Sequence, residues 1–420
     1  MLDIRLIREN PAFIKKNIEI RGCKEKVELV EKILEIDKKR REIKKEIDRL
    51  KHEKNIITEK IANLKGEERE NEIKKVELLS ENIERFENEF EKLNKDFKEI
   101  MLKIPNIVDK SVPIGKENVE IRRFGSKPKF NFEPKSHLDI LKNFLDAERG
   151  AKVAGRGFFY FLNDLVLLDL SLIRYAIDKL IKKGYQLVIP PYMLKREAYE
   201  GATDISTFEE QLYKIENEDL YLIATAEHPI AAMFMNETFL AKDLPLKFVG
   251  FSPCFRKEVG AHGKYTKGLF RMHQFHKVEQ FVFCLPEQSW KIFEEVQRNA
   301  EELYEDLGLH YRVVNISSYD LGDMAAKKYD IEIWMADDEF RESGSNSNCT
   351  DYQARRLNIK YREKEGQPPK DFVHTINSTA IATSRVMIAI IEQYQQSDGS
   401  VKVPNALKPY IKKDFLFRKE

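Results

Sequence analysis

Cys254-Phe-Arg-Lys-Glu-Val-Gly260, continued by Gly268-Leu-Phe-Arg-Met-His-Gln-Phe-His-Lys-Val-Glu279, is the stretch on which the reading of this chain turns. It reads as strand, loop, strand, and it carries two arginines, an aromatic and two glutamates along that hairpin. Arginine presents a planar fork that pairs phosphate or carboxylate through two parallel hydrogen bonds, so Arg256 and Arg271 flanking one loop suggest a polyphosphate clamp. Between them Gly260, Gly263 and Gly268, with Lys264, Thr266 and Lys267, read as a glycine-punctuated, donor-rich loop. A solvated hairpin with salt bridges would explain a lone Arg-x-Glu. It does not explain the whole stretch, with Phe275 and Glu279 at its end.

On either side of this hairpin the pattern is of short apolar strands. Tyr185-Gln-Leu-Val-Ile-Pro-Pro191, Leu220–Ala224, Leu246–Phe251, Val278–Phe283, Tyr311–Asn315 and Tyr329–Trp334 are strand candidates, with helices expected at Leu165–Ile173, Pro286–Leu307 and Ile381–Gln395. Strands outnumber helices, and several follow one another through hairpins or loops, which favours an antiparallel α+β domain over a doubly wound parallel sheet. Neither G-x-x-x-x-G-K-[ST] nor G-x-G-x-x-G occurs, so a nucleotide site here is of neither common α/β kind.

The first hundred residues obey a different rule. Leu29, Ile36, Ile43, Leu50, Ile57 and Leu64 recur every seventh residue, with Ile33, Ile47 and Ile61 in the complementary phase and Arg40 and Lys54 filling its two gaps. After Lys65-Gly66 the pattern restarts as Val76, Ile83, Phe90 and Phe97 interleaved with Leu79, Phe86, Leu93 and Ile100. Such spacing buries a narrow seam between two helices. Gly66, able to take the left-handed conformation, is the expected hairpin point. The expectation is an antiparallel two-helix arm with a length on the order of 60 Å at about 1.5 Å per residue. Its first helix is basic (Lys38-Lys39-Arg40-Arg41, Lys44-Lys45, Arg49, Lys51, Lys54) and its second is rich in glutamate. The basic face suits a phosphate backbone, while charges that merely solvate and bridge a coiled coil are the competing reading. The arm is assigned residues 1–105. Residues 106–420 form the second domain, of which 106–150, punctuated by Pro105, Pro113, Gly115, Gly125 and Pro128, are linker and entry segment.

Lys+Arg number 72 against 71 Asp+Glu in 420 residues, so any nucleic-acid surface must come from local segregation of charge. Four scattered cysteines (Cys23, Cys254, Cys284, Cys349) without a C-x-x-C pair argue against a disulfide framework or a structural zinc site and fit a reducing cytoplasm. No stretch reads as a signal peptide or a membrane span.

These features in order resemble the class II aminoacyl-tRNA synthetases, and within them the seryl-tRNA synthetase family in its archaeal form. The resemblance rests on the N-terminal hairpin, Ile104-Pro-Asn-Ile with Val112-Pro-Ile-Gly, the strand ending Pro190-Pro191, Thr225-Ala-Glu227, the stretch quoted first with His262 in its loop, Ser347-Asn-Cys-Thr-Asp351, and Asn377-Ser-Thr379 before Arg385. It implies a class II antiparallel sheet flanked by helices, a homodimer, and ATP-dependent activation of L-serine followed by transfer to tRNA(Ser), with tRNA(Sec) an open second substrate. It implies ATP and Mg²⁺ in the site. Arg256 would bridge α-phosphate and serine carboxylate, and Arg256 with Arg385 would be catalytic. Lys257, Glu258 (to the adenine amino group), Arg271, Met272, Phe275 (stacked on adenine, Arg385 on its other face), Glu342, Ser343, Gly344 and Ser345 would complete the ATP site, with Glu342 and Ser345 holding the metal. Thr225, Ala226, Glu227, Arg256, Glu279, Asn377 and Thr379 would hold serine, Glu279 and Thr379 reaching its hydroxyl. Arg40, Arg41, Lys44, Lys45 and Lys51 would meet tRNA.

Four departures from the family pattern stand out. Ala336-Asp-Asp-Glu-Phe-Arg-Glu342 is one residue shorter and more acidic than usual, and Ser343-Gly-Ser-Asn-Ser-Asn348 replaces a more aliphatic run. Ala382 stands where many relatives have glycine, and Gly155-Arg-Gly-Phe158 alters a familiar order. The alternatives are a synthetase-like paralogue that loads an amino acid onto a carrier protein, or a non-catalytic RNA-binding coiled-coil protein. The relatives of the first kind lack the long arm that this chain has.

Overall fold

The structure, a computed structural model, describes residues 1–205, 209–258 and 268–418. The chain divides into two compact units, Met1–Pro105 and Asn106–Glu420. Of the hairpin loop, Gly260, His262, Gly263, Lys264, Thr266 and Lys267 lie outside the described residues.

In the first unit, two short helices precede α1 (Leu29–Ile61) and α2 (Gly66–Met101). Arg40 bonds Asn94 and Lys51 pairs with Glu87, so the partner number falls as the residue number rises and the two helices run antiparallel. Gly66 turns the chain at φ +62°, with open space around it, so the glycine is there for conformation and not for room. At 33 and 36 residues the helices are about 50 and 54 Å long, shorter than the length expected from sequence. Ile33, Ile47, Leu50 and Ile83 are buried in the seam. Arg40 occupies a seam position too. Its Nε donates to Asn94 Oδ1 at 2.7 Å and its guanidinium lies 3.9 Å from the centre of the Phe97 ring. Arg40, expected among the tRNA contacts, thus has a donor and its guanidinium face engaged in the seam.

The second unit is built on an eight-stranded sheet. Its strands are β1 (Val119–Phe124), β2 (Gln186–Val188), β3 (Leu246–Phe255), β4 (Gln274–Cys284), β5 (Tyr311–Asn315), β6 (Lys327–Trp334), β7 (Phe340–Thr350) and β8 (His374–Ala382). The spatial order is β1-β5-β6-β7-β8-β4-β3-β2, and every pairing is antiparallel except β2 with β3. Helices α3 (Asp164–Lys182), α4 (Ser289–Asp306) and α5 (Thr383–Gln393) share one apolar core with the sheet. The period of two decides which side chains face it. On β6, Tyr329, Ile331 and Ile333 join Phe293 and Val296 in that core, which leaves Lys328, Asp330 and Glu332 on the other face. On β4, Val278 and Val282 go to the core while Phe275, Lys277 and Glu279 share the opposite face, where Phe281 and Phe283 pack with Ala226 and with Ile230 of the helix Glu227–Ala232 that follows it. That helix covers one part of the open face, over Phe248, Phe281 and Phe283. Another part is a cleft.

Candidate active site

The cleft gathers side chains from the segment between β3 and β4, from β4, β7 and β8, and from the start of α5: Arg256, Glu258, Phe270, Met272, Phe275, Lys277, Glu342, Ser343, Gly344, Thr379, Ala382, Ser384 and Arg385. Among the residues expected for ATP, all except Lys257, Arg271 and Ser345 line it. Arg256 is set by its backbone N–H, which donates to His273 O at 3.0 Å, and by Nε, which donates to Ala224 O at 3.3 Å. Its guanidinium lies 5.4 Å from the centre of the Phe275 ring, so in this arrangement Arg256 faces the aromatic expected to stack on adenine. Arg385 instead lies 5.0 Å from the Phe270 ring, a residue the sequence reading did not single out. Glu258 sits at φ +49° and pairs with Arg271 at 2.8 Å, so these two candidate ATP contacts hold each other. Lys257 turns elsewhere: its backbone N–H donates to Gln211 O at 2.9 Å and its ammonium lies 5.7 Å from the Tyr213 ring.

At the opposite wall Arg385 donates to the Glu342 carbonyl at 2.7 Å and pairs with its carboxylate at 3.2 Å. Burial alone would raise the Glu342 pKa, but Arg385, Lys328 and Arg256 outweigh it and hold the group below the usual carboxylate range. The Ser343 hydroxyl bonds Tyr304 at 3.0 Å, so it is turned toward α4. Gly344 permits close approach of β7 to β8: a Cβ there would lie 3.0 Å from Thr379 Cβ. Ser345 hydrogen-bonds Asp330, which sequence reading treated only as a strand residue. Asp330 is 5 % exposed and its Oδ1 has no hydrogen-bond partner. Burial first, then the nearby Glu342, push its pKa up to about 7 against the pull of Lys328 and Ser345.

The acidic segment Ala336–Glu342 forms the turn between β6 and β7, and its extra acids have local partners. Asp337 takes both terminal nitrogens of Arg341 at 2.6 Å. Asp338 accepts from Trp334 Nε1 at 2.9 Å and pairs with Lys127. Neither acid lines the cleft. In the altered loop at 155–158, Gly157 accepts from the His273 N–H at 3.0 Å and Phe158 lies against the His273 ring, beside the strand end that carries Arg256.

The residues expected for serine lie deeper. Thr225, Ala226, Glu279, Asn377 and Thr379 are all buried. Thr225 Oγ1 accepts from the Glu227 N–H at 3.2 Å, and Gln353 Nε2 donates to Glu227 Oε1 at 3.1 Å. Burial and the neighbouring Glu279 push Glu227 up to about 7, opposed by Lys277, Gln353 and Arg256. Glu279 is also raised, by burial against the pull of Lys277, Thr379 and Arg256. Lys277 pairs with Glu279 at 2.5 Å. Asn377 Nδ2 donates to Cys349 Sγ at 3.6 Å, beneath the pocket. Chemically, the site offers an anionic recess for an ammonium group, Arg256 at its mouth for a carboxylate, and beyond it a cation-lined cleft for phosphates.

Of the expected tRNA contacts, Arg41 binds the buried Asp37 at 3.1 Å, Lys44 pairs with Asp48 at 2.8 Å, and Lys51 with Glu87 at 2.6 Å. A shallow groove on the first unit is bordered by Arg8, Arg40, Arg41, Lys44 and Lys45 with Asp37, Asp48 and Phe90.

Residues 208–394 match the model of the tRNA synthetase class II core domain (G, H, P, S and T), and residues 1–108 match the seryl-tRNA synthetase N-terminal domain. A serine–tRNA ligase of Methanocella arvoryzae is 49 % identical over 98 % of this chain and 99 % of its own. The crystal structure of seryl-tRNA synthetase from Pyrococcus horikoshii complexed with ATP superposes with TM-score 0.93 at 48 % identity over 100 % of both chains. Cytoplasmic serine–tRNA ligase of Naegleria fowleri in complex with AMP gives 0.86 at 40 % identity, covering 100 % of this chain and 99 % of that one.

Proposed function

This chain belongs to the seryl-tRNA synthetase family and is a serine–tRNA ligase of class II, and on that premise we propose how its residues divide the work of charging tRNA(Ser). The carrier-protein ligase and the non-catalytic RNA-binding protein are not favoured, since the likeness runs the full length of the chain, arm included.

In the first step a serine carboxylate oxygen attacks the α-phosphorus of ATP, the bond from that phosphorus to the α,β-bridging oxygen breaks, and pyrophosphate leaves. Such a displacement needs positioning and charge stabilisation more than proton transfer. Arg256 serves both reactants, the carboxylate and the α-phosphate. Phe275 stacks on adenine, Glu258 accepts from its amino group, and the backbone at Met272 lies against the nucleotide. ATP binding separates the Arg256–Phe275 and Glu258–Arg271 contacts, which frees Arg271 and Arg385 for the outer phosphates. Thr225 and Glu227 take serine's ammonium, and Glu279 with Thr379 takes its hydroxyl. In the second step the terminal ribose hydroxyl of tRNA attacks the seryl carbonyl and AMP leaves. The fit for Mg²⁺ rests on the donor chemistry at the far wall, where Glu342, Ser345 and the orphaned Asp330 Oδ1 are hard oxygen ligands. When bound, the ion would neutralise phosphate charge there.

The exposed cations of α1, Arg41, Lys44, Lys45 and Lys51, are assigned to the tRNA backbone, where contacts position more than they specify. A homodimer is assigned through the apolar surface of α3 and the edge strand β2. Leu167, Leu170, Leu187 and Ile189 are between 41 % and 63 % exposed there, more contiguous apolar surface than a lone subunit would leave in water. Four free cysteines fit the cytoplasm, and no described helix is long and apolar enough to cross a membrane.

The observation that carries this reading is Arg256 standing at the junction of the anionic recess and the phosphate cleft. The test is ATP–pyrophosphate exchange with each of the twenty amino acids, followed by charging of purified tRNA(Ser). Serine-only exchange together with charging is expected. Exchange without charging would favour the carrier ligase instead.

A further inference from the structure

We infer that Lys277 is a specificity-determining positioning residue: it holds the Glu279 carboxylate in the orientation from which that group reads serine's hydroxyl. This rests on the assignment of Glu279 and Thr379 to the hydroxyl. Lys277 has the same strand face as Phe275 and Glu279, and its side chain is 8 % exposed against 1 % for Glu279. Lys277 Nζ lies 2.5 Å from Glu279 Oε2 and donates to Thr379 Oγ1 at 3.4 Å. Thr379 Oγ1 in turn donates to the same Glu279 Oε2 at 3.4 Å. The three groups close a triangle with a fixed direction of donation. The lysine supplies protons to both partners, and the threonine's single proton is committed to the glutamate. Both contacts fall on Oε2, which leaves Oε1 as the acceptor for a ligand hydroxyl among the described residues.

Charge balance points the same way. Glu279 adds to the cost of ionising the nearby Glu227 carboxylate, and Lys277 is the cation bonded directly to Glu279. With both carboxylates ionised, Lys277 leaves them one net negative charge, the complement of one ammonium. Without it, two buried carboxylates face each other, and sharing a proton turns an acceptor into a donor. A site that reads a hydroxyl through a fixed buried acceptor rejects the analogue lacking it, because the acceptor is then left unpaired. Lys277 also borders the ATP cleft, so the rival role is a direct phosphate contact. Its commitment to a buried pair disfavours that role, since leaving would strand Glu279 beside Glu227.

The experiment is calorimetric titration of the full-length protein with ATP and, separately, with serine, for the parent, Lys277→Met, Glu279→Gln and the double variant, together with exchange on serine and alanine. Lys277→Met is expected to bind ATP within twofold of the parent, to bind serine at least tenfold more weakly, and to lose at least tenfold of its serine-over-alanine preference. The double variant is expected to bind serine no more weakly than Glu279→Gln alone. ATP weakened as much as serine, an unchanged preference, or additive effects in the double variant would each overturn the inference. So would loss of both ligands in Lys277→Met and in Lys277→Gln. Absence of serine-dependent exchange in the parent would instead sink the underlying assignment of the pocket.

Discussion

The arm and the cleft use the same charged residues for opposite ends. On α1 the charges pair along one helix face at i,i+3 or i,i+4, as in Lys32–Glu28, Lys39–Glu35, Lys44–Asp48 and Arg49–Glu46, and most are exposed. Such pairs contribute about 0.2–0.5 kcal/mol each and are exchangeable one for another. In the cleft, Lys277, Glu279, Glu227, Asp330, Glu342 and Arg385 come from β4, β6, β7 and the starts of two helices, and several are buried. There a charge is worth what its neighbours make it. The lesson is that a charge on the arm acts by number and position along a phosphate track, while a charge in the cleft acts by identity and orientation.

The largest expected effect follows from that identity. Arg256→Ala removes the one side chain placed to serve both reactants, and serine-dependent pyrophosphate exchange is expected to fall by about 10³-fold or more, near the upper range for a single lost charge-stabilising donor. Filter binding of tRNA should stay near the parental level, since the arm is untouched. A parental exchange rate in this variant would break the contrast between the two regions at once.

Deleting residues 28–102 is the mirror experiment. Exchange is expected to remain within about twofold, because every cleft residue lies in the Asn106–Glu420 unit. Charging should drop by about 10²-fold or more, with loss of the steep salt dependence that phosphate contacts impose. Aminoacylation at two or three salt concentrations measures both. Charging that survives the deletion would show that the arm is not the grip on tRNA.

A smaller effect sharpens the cleft side. Glu227 is raised to about 7, first by burial and then by Glu279. Its ionised form is the one that attracts serine's ammonium, so the sign is fixed: protonation on acidification weakens serine binding. KM for serine is expected to rise as pH falls through about 7, by up to about tenfold per unit below it, with KM for ATP nearly flat over the same range. A serine KM without slope between pH 6 and 8 would remove Glu227 from the ammonium site.

How much of this was legible in the chain differs by region for the same physical reason. The arm announces itself because a seam repeats every seven residues, and even the odd Arg40 at an apolar position could be read as out of pattern. The sheet was legible strand by strand from alternation, and Arg256, Glu258, Phe275 and Glu279 could be named because they lie on one hairpin. Asp330, Lys277 and Phe270 were missed as site residues. Asp330 looks like any polar position in an alternating strand, and only the pairing of β6 with β7 brings it to Ser345. The one available signal for Lys277 was its period-two spacing between Phe275 and Glu279. The acidic turn Asp337-Asp338 stands out in the sequence as a departure whose effect on the phosphate site the sequence leaves open. Arg341, Trp334 and Lys127 absorb its charge, and two of those partners could be found only in three dimensions or across a turn.

The smallest effect tests the contrast inside the arm itself. Arg40 and Lys45 lie five residues apart on α1 and both border the groove, yet Arg40 is also bonded into the seam. Arg40→Ala removes a hydrogen bond from a charged donor and a stacked cation, together about 1–2 kcal/mol of local stability. That loss should appear as faster amide exchange across residues 29–61 and 66–101 in the intact protein. Lys45→Ala should leave amide protection unchanged and lower the slope of log tRNA affinity against log salt by about 1. If Arg40→Ala instead lowers the salt slope with protection intact, its guanidinium leaves Phe97 for phosphate, and the seam residue would be a tRNA ligand after all. The two variants together ask whether a heptad position or a net positive charge determines what an arginine on this helix does.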